Sequence, residues 1–306
     1  MKLINNLFFL LLFTTLFSCS RPDQGKLDAV KIQIDGSSTV YPITEAIAEE
    51  FSQQSPNVKV TVGVSGTGGG FKRFLSGDID INDASRPIKD KEKLRAQKES
   101  IQYTEFPIAY DGVSIVINKE NNWVDFLTVA ELKKIWEPES KVKTWKDVRA
   151  TFPNVVLKLY GPGADSGTFD YFTKAINGKS RASRSNYSKS EDDNVLVRGV
   201  AGDKGAMGYF GYAYYLENKS KLKVVAVESG SGPILPSADT INSGKYAPLS
   251  RPVYIYVNDE KVKAKPALRK FVRYYFENVK NILPEIGYIP LSDQDYKKHV
   301  KHLDQL

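Results

Sequence analysis

The stretch Val155–Ile176, VVLKLYGPGADSGTFDYFTKAI, changes character halfway along. It opens as an apolar strand, passes through a glycine-bracketed turn and continues as the first turns of a helix. The turn sets Asp165, Ser166, Gly167 and Thr168 at the helix entry. The first N–H groups of a helix have no intrahelical acceptor and carry partial positive charge, so such a junction suits an anion. Asp, Ser and Thr are also good N-caps with no ligand at all, so one junction of this kind does not decide between the two.

Two further junctions do. VKIQIDGSSTVYP, residues 30–42, alternates as a strand and ends in a loop carrying Ser37, Ser38 and Thr39; an amphipathic helix with Ile43, Ala46, Ile47 and Phe51 on one face follows. VKVTVGVSGTGGGFKRFLSG, residues 58–77, repeats the plan around Ser65, Gly66 and Thr67. Strand–loop–helix units in series predict α/β architecture with mixed, mostly parallel sheets flanked by helices. Ligands of open α/β sheets sit beyond the carboxyl ends of the strands, where all three hydroxyl loops fall. Three loops of one composition at that position point to a cage of hydroxyls and amides for an oxyanion.

The rest of the 306-residue chain narrows the choice. Length and composition suit two lobes with their own cores. The formal net charge of +7 is spread along the chain rather than gathered into a basic stripe, which argues against a nucleic-acid partner. Both histidines, His299 and His302, lie near the C-terminus, leaving none in the body of the chain for a Ser-His-Asp triad, and one cysteine with two histidines makes no zinc site. Gly167 stands where a P-loop requires lysine. These counts predict no metal, no cofactor and no enzymatic activity. The polar run Asn177–Asp193 reads as an exposed excursion, and KPALRKFVRYYFENVKNI, residues 265–282, as an amphipathic helix burying Leu268, Phe271, Tyr275 and Val279.

The N-terminus reads as an address. Residues 1–18 combine Lys2 with an apolar run too short to span a bilayer as a permanent helix, then small residues, as in a secretory signal. LFSC resembles a bacterial lipoprotein signal, which implies lipidation of Cys19, a tether over residues 19–27 and a location in the periplasm or on the cell surface.

Taken together and in order, GSSTVYP, VSGTGGGFKRFLSGDIDINDASRPI, AYDGVSIVIN, GADSGTFDYF and GAMGYFGYAYY resemble the phosphate-binding subunit of bacterial high-affinity phosphate ABC importers. The resemblance implies a two-lobed periplasmic-binding-protein fold of type II, with residues 28–110 and 254–306 in one lobe and 111–253 in the other. It implies a monomer that binds inorganic phosphate in the interlobe cleft and passes it to an ABC permease in the cytoplasmic membrane. By position, Ser38, Thr39 and Val40 match the family's first phosphate loop, Thr67 the second, and Ser166, Gly167 and Thr168 the third. One branch of the family has arginine where this chain has Pro162, and an acid where it has Arg86. Arg86 is therefore expected as the phosphate-facing cation, with Arg184 as a weaker candidate. Asp111 is expected to accept the phosphate proton, with Asp83 as runner-up. Alternatives are the same fold binding a sulfate-like tetrahedral oxyanion, or a secreted phosphatase.

Overall fold

The computed structural model describes residues 30–306; the signal segment, Cys19 and the tether lie outside them. The chain runs β1 (Val30–Gly36), α1 (Tyr41–Gln54), β2 (Val58–Val62), α2 (Gly66–Phe74), β3 (Ile81–Ala84), α3 (Asp90–Lys98) and β4 (Tyr103–Asn118). It continues through β5 (Phe126–Thr128), α4 (Val129–Trp136), α5 (Trp145–Val148), β6 (Lys158–Pro162), α6 (Gly167–Asn177), β7 (Ser188–Ser190) and α7 (Asp193–Ala201). Next come β8 (Ala206–Gly211), α8 (Tyr212–Glu217), β9 (Leu222–Glu228), β10 (Pro233–Ile234) and α9 (Ala238–Asn242). The last elements are β11 (Ser250–Asn258), α10 (Asp259–Ala264), α11 (Pro266–Ile282), β12 (Ile289–Pro290) and α12 (Asp293–Gln305).

The strands make a mixed sheet in two parts. In the first, β2, β1 and β3 are parallel, and β11 runs antiparallel between β3 and the first half of β4. Beyond Gly112 the same strand β4 changes neighbours: Val113–Ile117 pair antiparallel with β8, which lies parallel to β6, and β6 to β7. One strand of 16 residues thus serves both parts.

Each part has its own core. In the first, Ile32 and Ile34 alternate inward from β1 and meet Ile43, Ile47 and Phe51 of α1. The predicted face of α11, Leu268, Phe271, Tyr275 and Val279, closes that core, with Phe51 edge-on to Phe271 at 5.2 Å between ring centroids. In the second, Phe172 of α6 stacks on Tyr209 of β8 at 3.8 Å, and Trp136 packs edge-on against Tyr209 at 4.8 Å. Burying rings of this size fixes the helix axis, and therefore where the N-terminus of α6 points. Among the described residues no helix is long and apolar enough to cross a membrane.

The Asn177–Asp193 segment is largely exposed, as its polarity suggests, but it buries two charged residues. Arg184 is buried, donating to the carbonyls of Ile135 (3.0 Å) and Val142 (3.1 Å), and Asp193 is buried at the start of α7. Backbone acceptors satisfy the arginine, so its burial needs no apolar periodicity. Arg184 thereby holds α4 and the following loop together.

Candidate functional site

The three hydroxyl loops meet. In the first, the Ser37 N–H donates to the Asp83 carbonyl (3.0 Å) and the Val40 N–H to the Ser37 carbonyl (3.1 Å), so the chain turns at once into α1. Val40 therefore closes the turn: its N–H, expected to serve an anion, has the Ser37 carbonyl as acceptor here. From behind, Tyr214 Oη donates to the Ser38 carbonyl at 2.8 Å and Tyr288 Oη to the Thr39 carbonyl. Ser38 and Thr39 are both buried, and the Thr39 hydroxyl faces the third loop.

At the third loop, Ser166 caps α6, its hydroxyl oxygen accepting from the N–H groups of Thr168 (3.1 Å) and Phe169 (3.3 Å). The cap reading is thus correct for Ser166, while the hydroxyl's own hydrogen remains available to donate. Thr168 Oγ1 lies 3.0 Å from Thr39 Oγ1, joining loops 129 positions apart in sequence. The second loop presses against the third: the Gly68 N–H donates to the Asp165 carbonyl at 2.7 Å, and Gly66 holds φ +75° beside the same carbonyl. Thr67 Oγ1 sits 3.2 Å from Ser85 Oγ and accepts from the Ser85 N–H at 3.1 Å. A Cβ on Gly167 would come within 2.4 Å of both of those hydroxyl oxygens, so only glycine allows this approach.

The cation at this junction is Arg251, at the start of β11. Its Nη2 donates to Thr168 Oγ1 at 2.7 Å and lies 3.4 Å from Thr39 Oγ1. Nε and Nη2 reach Asp111 Oδ2 at 3.3 and 3.1 Å, and both side chains are only 1% exposed. The Tyr171 ring lies 5.2 Å from the guanidinium carbon. Nη1 is buried without a hydrogen-bond partner. Arg251 opens the stretch RPVYIYVN, legible in sequence only as a strand; its one signal there is a charge heading a run of otherwise buried residues.

Arg86, the cation expected from sequence, is paired with carboxylates in this structure. Its Nε donates to Asp170 Oδ2 (2.8 Å), and Nη1 and Nη2 to the Glu92 carboxylate (2.8 Å each), with Nη1 also on the Pro87 carbonyl (2.9 Å). Burial works against its charge, yet the hydrogen bonds and charges of Glu92 and Asp170 prevail and raise its pKa. Arg86 is consumed by carboxylates; its sequence neighbour Ser85 is the residue that joins the hydroxyl cluster.

The carboxylates sort in the same way. Asp111 lies at the junction, but Oδ2 serves Arg251 and Oδ1 faces the Tyr212 N–H at 3.4 Å, so it acts on the cluster through Arg251. Burial pushes the Asp111 carboxyl up, opposed by Arg251. Asp83 is buried on the other side of the first loop, where Thr44 donates to its Oδ1 at 3.0 Å and Tyr275 stands beyond Thr44. Asp165 is partly exposed and pairs with Lys72 at 2.9 Å. Sequence reasoning passed over Asp193, which is buried with Oδ2 unpartnered. Among the described residues no cluster of His, Cys, Asp and Glu could hold a metal ion, and His299 docks against the Pro107 carbonyl at 2.9 Å.

Contacts between the two parts thus include a hydroxyl cluster around Arg251 and an ion-pair group in which Asp170 of α6 receives Arg86 (2.8 Å) and Lys89 (2.5 Å). The first can offer donors from opposite loops to an oxyanion. The second holds α6 against α3.

Comparison with known proteins gives the following likenesses. Residues 21–279 match the family model described as PBP superfamily domain. Protein SphX of Synechocystis sp. is 50% identical over 267 residues, covering 87% of this chain and 80% of the relative. The phosphate-binding protein PstS of Staphylococcus saprophyticus is 42% identical over 285 residues, 93% of this chain and 87% of that one. Among solved structures, a possible phosphate binding protein from Planctomyces limnophilus aligns with a TM-score of 0.66 at 45% identity, over 90% of this chain and 98% of its own.

Proposed function

This chain belongs to the PBP superfamily and, within it, to the phosphate-binding subunits of bacterial phosphate ABC importers, and we propose that it captures inorganic phosphate outside the cytoplasmic membrane and delivers it to an ABC permease. The observation that carries this reading is the meeting of Thr39, Thr168 and Arg251: two hydroxyls from opposite loops and one guanidinium converge within 3.4 Å of one another. When the lobes part, Thr39 leaves Thr168 and Arg251, and the freed groups become donors for an oxyanion; phosphate between them bridges the two sides again. Ser38, Thr67, Ser166 and the N-terminus of α6 with Gly167 complete the donor set. Asp111 holds the Arg251 fork in orientation.

Of the described residues, those up to 110 with 254–306 form one lobe and residues 111–253 the other, with β4 and β11 as the connecting strands. Phosphate touching both lobes binds the closed form better and shifts the equilibrium toward it. The protein is a monomeric receptor without a chemical step of its own, and Cys19 carries the lipid that tethers it beside its permease.

The test is calorimetric titration of ligand-free protein with phosphate and with sulfate, alongside a chromogenic phosphate ester assay. The expected result is tight phosphate binding, sulfate binding far weaker, and no ester turnover. Phosphate at a hundred times Kd adds about 2.7 kcal/mol of stability, visible as a thermal shift. A protein that ignores phosphate, or prefers sulfate, would refute the reading.

A further inference from the structure

Apart from the hydroxyl cluster, a cavity of about 340 Å³ lies across the seam between the two parts. Side chains of α2 and α3 line it from the first part, Asp165 and Arg181 from the second. Two of its cations are answered by carboxylates, Lys72 by Asp165 at 2.9 Å and Arg86 by Glu92 at 2.8 Å. The other three, Lys91, Arg95 and Arg181, have no ion-pair partner among the described residues. Lys91 and Arg95 stand four positions apart on α3 and so share a face of that helix. Arg95 Nη2 is steadied by donating to Ser76 Oγ at 2.7 Å. Arg181 belongs to the opposite wall.

Arg181 is kept there against the preference of its own backbone. Its φ is +70°, a left-handed conformation that suits glycine. Two bonds fold the loop after α6 back onto the helix: the Arg181 N–H donates to Thr173 Oγ1 at 2.7 Å, and Ser180 Oγ to Asp170 Oδ1 at 3.1 Å. A long cation at a place where glycine would cost less has a reason to be there if its side chain has a partner. Like charges also crowd the seam. Burial, with Arg86 and Arg181 adding to it and Asp170 opposing, pushes the Lys89 ammonium down in pKa. An anion in the cavity would offset that repulsion.

The lining also selects the kind of anion. Guanidinium forks fit phosphate oxygens. Orthophosphate near neutral pH carries too little charge to answer three cations, whereas a condensed phosphate chain carries more and can reach both walls. The lining includes the Phe71 ring, but that ring is 1% exposed with the Arg86 guanidinium 5.2 Å from its centroid, so it offers no open face on which a nucleobase could stack. Resting on the reading of the two parts as lobes that close on phosphate, we infer that this cavity is a second anion site, taking a condensed phosphate such as tripolyphosphate and complete only in the closed receptor. Because its walls belong to different lobes, occupancy favours closure, and orthophosphate in the cleft favours occupancy in turn.

The experiment titrates tripolyphosphate by calorimetry into protein already saturated with orthophosphate, so that the cleft is filled. One-to-one binding is expected, weakened roughly tenfold or more in Arg181→Gly and in Arg95→Ala, as the loss of a hydrogen bond to a charged group implies. Orthophosphate affinity without tripolyphosphate should stay within a few-fold of the wild type in both variants. Arg181→Gly should melt no lower than the wild type, because glycine suits that backbone. A merely structural Arg181 would instead lower the melting temperature on substitution and leave tripolyphosphate binding intact, which overturns the inference. So does a wild type that ignores tripolyphosphate, or one from which sulfate at matched ionic strength displaces it by screening alone. A protein that ignores orthophosphate refutes the reading of the cleft; tripolyphosphate is then titrated alone into the same variants, and binding insensitive to Arg181→Gly overturns the second site as well.

Discussion

Arg86 and Arg251 are both buried between the lobes, both lie near an aromatic ring at 5.2 Å, and both reach α6, yet they are spent differently. Arg86 meets two carboxylates, Glu92 from its own lobe and Asp170 from the other, and every guanidinium nitrogen has an acceptor. Arg251 meets one hydrogen-bonded carboxylate, shares Nη2 with a threonine hydroxyl, and keeps Nη1 unpartnered. What makes an arginine available to an anion is the number of carboxylates around it, not its distance in sequence from a serine loop. A buried cation with its charge already answered contributes to docking; one only partly answered can still bind.

Substitutions can break or sharpen this contrast. The largest effect is expected at Gly167→Ala. The added Cβ meets Thr67 Oγ1 and Ser85 Oγ only when the lobes are together, so closure should be opposed by about 1–3 kcal/mol, roughly 5–150-fold in phosphate affinity. Calorimetry would read the affinity, and an unchanged melting temperature without phosphate would confirm that the open form is untouched. The smallest effect is expected at Lys72→Ala on the ion-pair side. Lys72 is 65% exposed and Asp165 37%, so the pair should be worth at most about 1 kcal/mol, and less as salt is added. A salt series of the thermal shift with phosphate would measure it.

Local features were readable along the chain and long-range charges were not. Alternation in VKIQI, the three Ser/Thr/Gly helix entries and the spacing of Leu268, Phe271, Tyr275 and Val279 are periodic signals set by strand and helix geometry, and each stands as an element. Arg251 pairs with Asp111, 140 positions away, through the antiparallel register of β11 on β4, a pairing with no local trace. Arg86 drew attention because it follows Ser85, while its partner Asp170 lies 84 positions off and shows its role only once α6 docks. The polar run before α7 concealed Arg184 for a related reason: backbone carbonyls can satisfy a buried charge, and sequence periodicity records only apolar burial.

The most direct test sets the two arginines side by side. Phosphate affinity would be measured by calorimetry for the wild type, Arg251→Lys and Arg86→Lys, each substitution keeping the charge and losing the planar fork. The account predicts that Arg251→Lys weakens phosphate binding by roughly tenfold or more, in line with about 1.5–3 kcal/mol for a hydrogen bond to a charged group. Arg86→Lys should leave the affinity within a few-fold of the wild type while lowering the melting temperature. The reverse order, with Arg86→Lys losing the ligand and Arg251→Lys keeping it, would contradict the assignment of Arg251 as the phosphate-facing cation.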